Sequence, residues 1–132
     1  MRKTIGIVLL VCYMAVLGVL ATAEYFYQTG KSEKDAAKLK LACALNPFFS
    51  DYRAALFQQT RNLDDIKGAI ALEPLKPAYH MYYGLELLRD SSKRTRASDQ
   101  LAYRELQKAA QLKPYSETYR QTFEQYAKPY LK

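Results

Sequence analysis

A single histidine, two cysteines and five glycines that never cluster leave this 132-residue chain little of what catalysis or cofactor binding requires. With His80 alone, no two-histidine metal site can be assembled. Cys43 has no companion outside the apolar amino-terminal run that holds Cys12, so an internal disulfide and a disulfide-stapled secreted scaffold are both disfavoured. No glycine-rich loop is present to cradle a phosphate. Low-complexity tracts are absent, and so is the alternation of period two that marks strands: β-branched residues concentrate in the amino-terminal run. Two titratable features remain to be weighed. Asp64 and Asp65 form an acidic pair, which reads as first-turn acids complementing a helix dipole rather than a catalytic dyad. His80 falls six residues after Pro74, in register with Arg53 and Arg120, and reads as a polar position near a helix start. The expectation is a non-catalytic protein with no cofactor and no metal.

What the sequence has instead begins at its amino terminus. After Met1, Arg2 and Lys3, the run Thr4 to Ala23 carries no charge. About 20 helical residues at about 1.5 Å each span roughly 30 Å, the thickness of a bilayer's hydrocarbon core. Tyr25, Phe26 and Tyr27 follow, residue types that settle at the headgroup level. Residues 4–27 are therefore expected to contact membrane lipid, and residues 1–28 to form a transmembrane helix or uncleaved signal anchor. The alternative is a cleaved signal peptide, because Ala21-Thr22-Ala23 supplies small residues at a cleavage position. Basic residues flank both ends and do not fix orientation; the export-like layout places the carboxy-terminal part outside the cytoplasm of a bacterial inner membrane, on the periplasmic side.

Beyond the run, one figure is written three times around Pro47, Pro74 and Pro114. Eight residues before each proline stand Leu39, Ile66 and Leu106; five before, Ala42, Ala69 and Ala109; two before, Leu45, Leu72 and Leu112. Five after come Tyr52, Tyr79 and Tyr119, and nine after come Leu56, Tyr83 and Phe123. Spacings of three and four put the apolar columns on one helical face, with alanine allowing a second helix to approach. Proline disfavours helical geometry in the residue before it and ends the helix. A new helix follows within about three residues, with Ser50 and Ser116 as N-caps and Pro77 in a first helical position. Helices are expected near 4–28, 33–45, 50–61, 64–72, 77–89, 97–112 and 116–127. Most of the twelve tyrosines read as helix-packing residues with hydroxyls at a polar edge.

This pattern resembles the tetratricopeptide repeat, a helical hairpin of about 34 residues with small residues at the pair interface and a proline at its end. The resemblance spans roughly residues 33–130 and is fullest in "YYGLELL", where Gly84 holds the family's glycine position; proline spacings of 27 and 40 and the residues Phe57 and Glu124 depart from it. It implies an all-α fold: an N-terminal transmembrane helix, then a short solenoid of about two and a half repeats over residues 29–132. It also implies a partner-binding groove lined by Asp51, Ala54, Gln58 and Arg61; Ala78, Met81, Leu85 and Leu88; and Thr118, Gln121, Gln125 and Lys128. The apolar stripe Met81-Leu85-Leu88 is either such a groove or a surface covered by the chain's own connector.

Charge is uneven. Residues 24–90 are balanced, whereas residues 91–132 carry an excess of five positive charges. Lys93, Arg94 and Arg96 tip the connector before the helix that carries Arg104 and Lys108, a basic patch suited to an acidic partner or anionic headgroups at 93–96. Nucleic acid is disfavoured for an exported domain. Together these features point to a membrane-anchored scaffold or accessory subunit that contacts other subunits of a membrane complex. The alternatives are an exported peptide-binding adaptor and a basic surface protein holding anionic lipid or polysaccharide.

Overall fold

A computed structural model of the chain describes residues 2–89 and 94–127, with side chains from Ile5 onward. Among the described residues there are seven helices and no strand: α1 (Arg2–Glu33), α2 (Ala36–Leu45), α3 (Ser50–Thr60), α4 (Leu63–Leu72), α5 (Pro77–Arg89), α6 (Arg96–Leu112) and α7 (Glu117–Tyr126). The all-helical class with a long apolar amino-terminal helix is as expected. The chain divides into two compact units, Met1–Thr60 and Arg61–Lys132. Residue 28, expected to close the anchor, lies inside α1.

In the first unit, α1 is one unbroken helix of 32 residues. Its stretch from Ile5 is long and apolar enough to cross a membrane. From Ile5 to Thr22 every side chain is exposed, and then the helix changes character without a break. Ala23 and Gly30 are buried and Phe26 and Tyr27 half-buried, a spacing of three, four and seven that forms one face against α2. Two members of the expected aromatic collar are therefore engaged in packing: Phe26 and Tyr27 lie on a cluster of Ala23, Ala42 and Tyr52, while Tyr25 is exposed. Tyr27 stacks on Tyr52 with ring centroids 4.7 Å apart, and the Tyr52 hydroxyl donates to Glu24 Oε2 at 2.8 Å.

The turn from α1 to α2 was expected earlier in the chain, and its position has a local cause. Lys34 adopts a left-handed backbone, φ 56°. Asp35 then caps α2, its carboxylate accepting from the amides of Ala37 at 2.8 Å and Lys38 at 3.3 Å. Gly30 is no helix breaker here. A Cβ at that position would stand 3.0 Å from Leu39 Cγ, so the bare backbone is what lets α2 approach.

The second unit repeats this logic. Helices α5 and α6 form its most extensive pair, with α4 against α5 and α7 against α6. At Gly84 a Cβ would stand 2.8 Å from Leu106 Cγ and 2.9 Å from the Ala102 carbonyl oxygen. Helix α6 starts with a reciprocal cap: the Thr95 amide donates to Ser98 Oγ at 2.8 Å, and the Ser98 amide to Thr95 Oγ1 at 3.1 Å. Ser116 stands at the N-cap of α7 but makes no side-chain cap bond.

The three proline corners share one backbone geometry. The residues before the prolines, Asn46, Glu73 and Lys113, have φ/ψ of −136/83°, −133/78° and −140/71°. Proline excludes them from the helical region. The amides of Asn46 and Glu73 still donate to Ala42 and Ala69, which closes α2 and α4. Pro77 is the first residue of α5. Two of the columns follow suit, with Leu39, Ile66, Leu106, Ala42, Ala69 and Ala109 all buried, whereas two residues before each proline Leu45 and Leu112 are half-buried and Leu72 is exposed.

Two outcomes test this packing. Gly84→Ala should destabilise the protein by about 1–3 kcal/mol in thermal or urea unfolding, because Leu106 and the Ala102 carbonyl cannot both withdraw. Gly6→Ala, with nothing within 4 Å, is the control and should not destabilise. Burial, then the Glu24 hydrogen bond, raise the Tyr52 phenol from its usual 10.0 to about 12. A phenol whose folded pKa lies above its unfolded one stabilises the fold fully below about pH 10, and that contribution is lost as pH climbs towards about 12. Stability measured across that window should fall, and the fall should be shallower in Tyr52→Phe.

Candidate functional site

A cleft of about 480 Å³ lies in the second unit, lined by Arg61 before α4, by Asp64 and Lys67 in α4, by Glu86 and Arg89 of α5, and by Ser98 of α6. Its geometry is set by the junction before α4. Arg61 has a left-handed backbone, φ 56°, and Asn62 caps the helix by accepting from the Asp64 amide at 3.1 Å. Asp64 and Asp65 thus occupy the first turn, where the helix dipole favours them, and Lys67 lies 3.3 Å from Asp64. The centre of the cleft is Glu86, whose side chain is only 9% exposed. Arg89 Nη2 lies 2.7 Å from Glu86 Oε1, and Arg61 Nη1 lies 3.5 Å from Oε2. One carboxylate thereby holds two guanidinium groups, each more than half exposed. Such a pair of forks suits carboxylates on a partner's surface.

The residues implied by the repeat resemblance are dispersed. Asp51, half-buried in the first turn of α3, and Gln58, exposed, belong to the first unit; Ala54 between them is buried. Arg61 lines the cleft. Met81, Leu85 and Leu88 are half-buried and pack on Tyr103, Leu106 and Ala127, with Phe123 alongside. Thr122 Oγ1 reaches Met81 Sδ at 3.9 Å. The stripe is thus partly buried against residues of α6 and α7 and against Ala127. Gln121 and Gln125 are exposed on α7, with Gln121 Nε2 donating to Glu117 at 2.9 Å. Ala78 is half-buried, Thr118 is exposed, and Lys128 lies outside the described residues.

The basic patch is only partly a row of exposed cations. Arg94 is engaged by Asp99, through Nε at 2.8 Å and Nη2 at 3.0 Å, and that hydrogen bond raises its pKa further. Arg96, Arg104 and Lys108 are exposed on α6, the last two one turn apart. Lys93 lies outside the described residues.

His80 is where the sequence reading was least informative. It is not a surface position: its side chain is 1% exposed. Nε2 lies 2.8 Å from the Pro74 carbonyl oxygen, which can only accept, so that nitrogen carries a proton. Nδ1 lies 2.6 Å from Glu105 Oε2, within hydrogen-bond distance. The ring therefore clamps the α4–α5 corner and α6 to α5. Its register with Arg53 and Arg120 pointed outward, and only the three-dimensional position of Glu105 distinguishes it. Among the described residues no group of three or more histidine, cysteine or acidic side chains is placed to hold a metal ion.

No protein-family model matches the chain, and no curated protein matches it in sequence.

Replacing His80 by alanine should cost about 2–4 kcal/mol, since it opens a cavity and leaves the Pro74 carbonyl and Glu105 without their hydrogen-bond partner. Equilibrium unfolding checks this. A change within about 0.5 kcal/mol, the range of an ordinary surface substitution, would show the clamp to be unimportant.

Proposed function

We propose that this chain is a non-catalytic accessory subunit of a membrane-bound assembly: a membrane-anchored, tetratricopeptide-like helical scaffold that presents charged and polar surfaces to other protein subunits. The observation that carries this reading is the continuity of α1. One helix supplies both the apolar run and the face that buries Ala23, Phe26, Tyr27 and Gly30 in the first unit. Retention of the run also fits the packing, because cleavage after Ala23 would remove a fully buried residue from the Ala42 and Tyr52 cluster. Repetition of the corner geometry and the buried columns supports the repeat-like reading of the helical part. The paired guanidinium groups on Glu86 give the scaffold a surface for acidic segments of a partner. The export-like leader favours a bacterial inner membrane with the carboxy-terminal part on the periplasmic side.

A second reading, a soluble exported adaptor, is favoured by the small residues Ala21-Thr22-Ala23 and by the amino-terminal place of the apolar helix. Intact mass of the native protein separates the two readings, and the anchored form requires the full-length mass. For the scaffold, extraction from native membranes in mild detergent should recover the chain with stoichiometric partners. Arg61→Glu combined with Arg89→Glu should lower that recovery about tenfold, equivalent to about 1.4 kcal/mol of contact energy. Recovery of the unaltered chain solely as a monomer would overturn the proposal.

A further inference from the structure

The corner between α2 and α3 has a use that the scaffold reading leaves open. Residues 41–50, Leu41 to Ser50, contain no charge. Phe48 is 82% exposed, and Leu41 and Phe49 are also exposed. The corner sits beside the apolar helix: Leu45, Asn46, Pro47 and Phe48 face Ala15, Val16, Val19 and Leu20 across an apolar groove of about 350 Å³. Those α1 residues lie four to nine positions before Glu24, about 6–14 Å down the helix axis.

A polarity boundary crosses the unit at the same height on two of its helices. Glu24, the first charge after the run, accepts the Tyr52 hydroxyl bond at 2.8 Å. Asp51 and Arg53 flank Tyr52 on α3. On the groove side of this bond, α1 from Thr4 to Ala23 and the corner from Leu41 to Ser50 are uncharged; charges return only beyond them, at Lys40 and Asp51.

We infer that the Asn46–Phe49 corner is a second membrane contact, an aromatic wedge seated in the headgroup and upper acyl region beside α1, with lipid chains filling the groove between them. This rests on the reading of α1 as a retained span. The occupant is lipid because the groove's opposite wall is the span itself: whatever solvates Val16 and Leu20 also reaches Phe48. The depth suits an interfacial element, which buries its apolar face about 5–10 Å into the headgroup and acyl boundary. The backbone permits it too, since Pro47 has no amide proton and the Asn46 amide is bonded to Ala42 at 2.9 Å. The aromatic collar read as Tyr25-Phe26-Tyr27 is then supplied largely by Phe48 and Phe49.

The chain contains no tryptophan, so a single substitution gives an unambiguous fluorophore. The full chain is reconstituted in phosphatidylcholine vesicles with and without brominated acyl chains, as Phe48→Trp, as Tyr13→Trp within the run, and as Ser32→Trp in the last turns of α1. Helical circular dichroism confirms that each variant is folded. The Phe48→Trp protein should show blue-shifted emission, loss of intensity in brominated lipid, and protection from iodide; the Ser32→Trp protein should show the reverse. Quenching of Tyr13→Trp by bromine with Phe48→Trp open to iodide would overturn the wedge while leaving the span intact. Absence of bromine quenching in both would remove the span and the wedge with it. A Phe48→Trp emission that is blue-shifted but insensitive to both quenchers would place the corner against protein, such as a second copy, and would equally overturn the inference.

Discussion

Each unit is held by one helix pair whose closeness depends on a missing side chain. Leu39 and Leu106 stand eight residues before Pro47 and Pro114, and each seats against a glycine of the preceding helix, Gly30 and Gly84. A methyl group at either glycine would press within about 3 Å of the leucine, closer than packed carbon atoms approach. The glycines lower helix propensity by about 1 kcal/mol each, and the burial of a leucine recovers more than that. Around these contacts the alanines Ala23, Ala42, Ala102 and Ala109 are almost completely buried, so the backbones rather than long side chains set the separation. The outer helices α3 and α7 then have a defined surface to lie on.

The corners convert that pairing into a chain direction. At Asn46, Glu73 and Lys113 the following proline removes the helical option, and the three residues fall within about 12° of one another in φ and ψ. The alanine five residues before each proline is buried every time. His80 adds a constraint peculiar to the second corner, holding the Pro74 carbonyl and Glu105 on one ring.

Much of this was legible because it is written in residues that act locally. Pro47, Pro74 and Pro114 each end a helix, and five of the seven helices fall within one or two residues of their expected bounds; α1 runs five residues past its expected end and α2 starts three residues late. The failures are of another kind. Tyr25, Phe26 and Tyr27 were read by residue type as a headgroup collar, yet the periodicity of Ala23, Phe26, Tyr27 and Gly30 already described a packed face. Met81, Leu85 and Leu88 stayed open between a docking groove and a self-covered surface, because nothing local shows that Tyr103 and Leu106 pack against them. Glu105 lies 25 residues from His80, so the clamp has no sequence period at all. The capping of α6 by Thr95 and Ser98 was visible in principle, but with serine in place of the usual glutamate it reads as loop.

The fate of α1 follows from the same reasoning. The helix is apolar all round along its first two-thirds and amphipathic in its last third, and on the anchored reading one set of backbone hydrogen bonds serves two solvents. No residue between Ala23 and Glu33 interrupts it, and the Glu24–Tyr52 bond stands where the character changes. A hinge at that point would need broken helical bonds and the loss of the Ala23, Ala42 and Tyr52 cluster. The first unit is consequently fixed in orientation relative to its apolar rod, and whichever surface α2 and α3 present beside that rod is held at a set height. On the anchored reading proposed above, a rigid helix of this kind positions what it carries, in contrast to a tether that only limits how far it can wander.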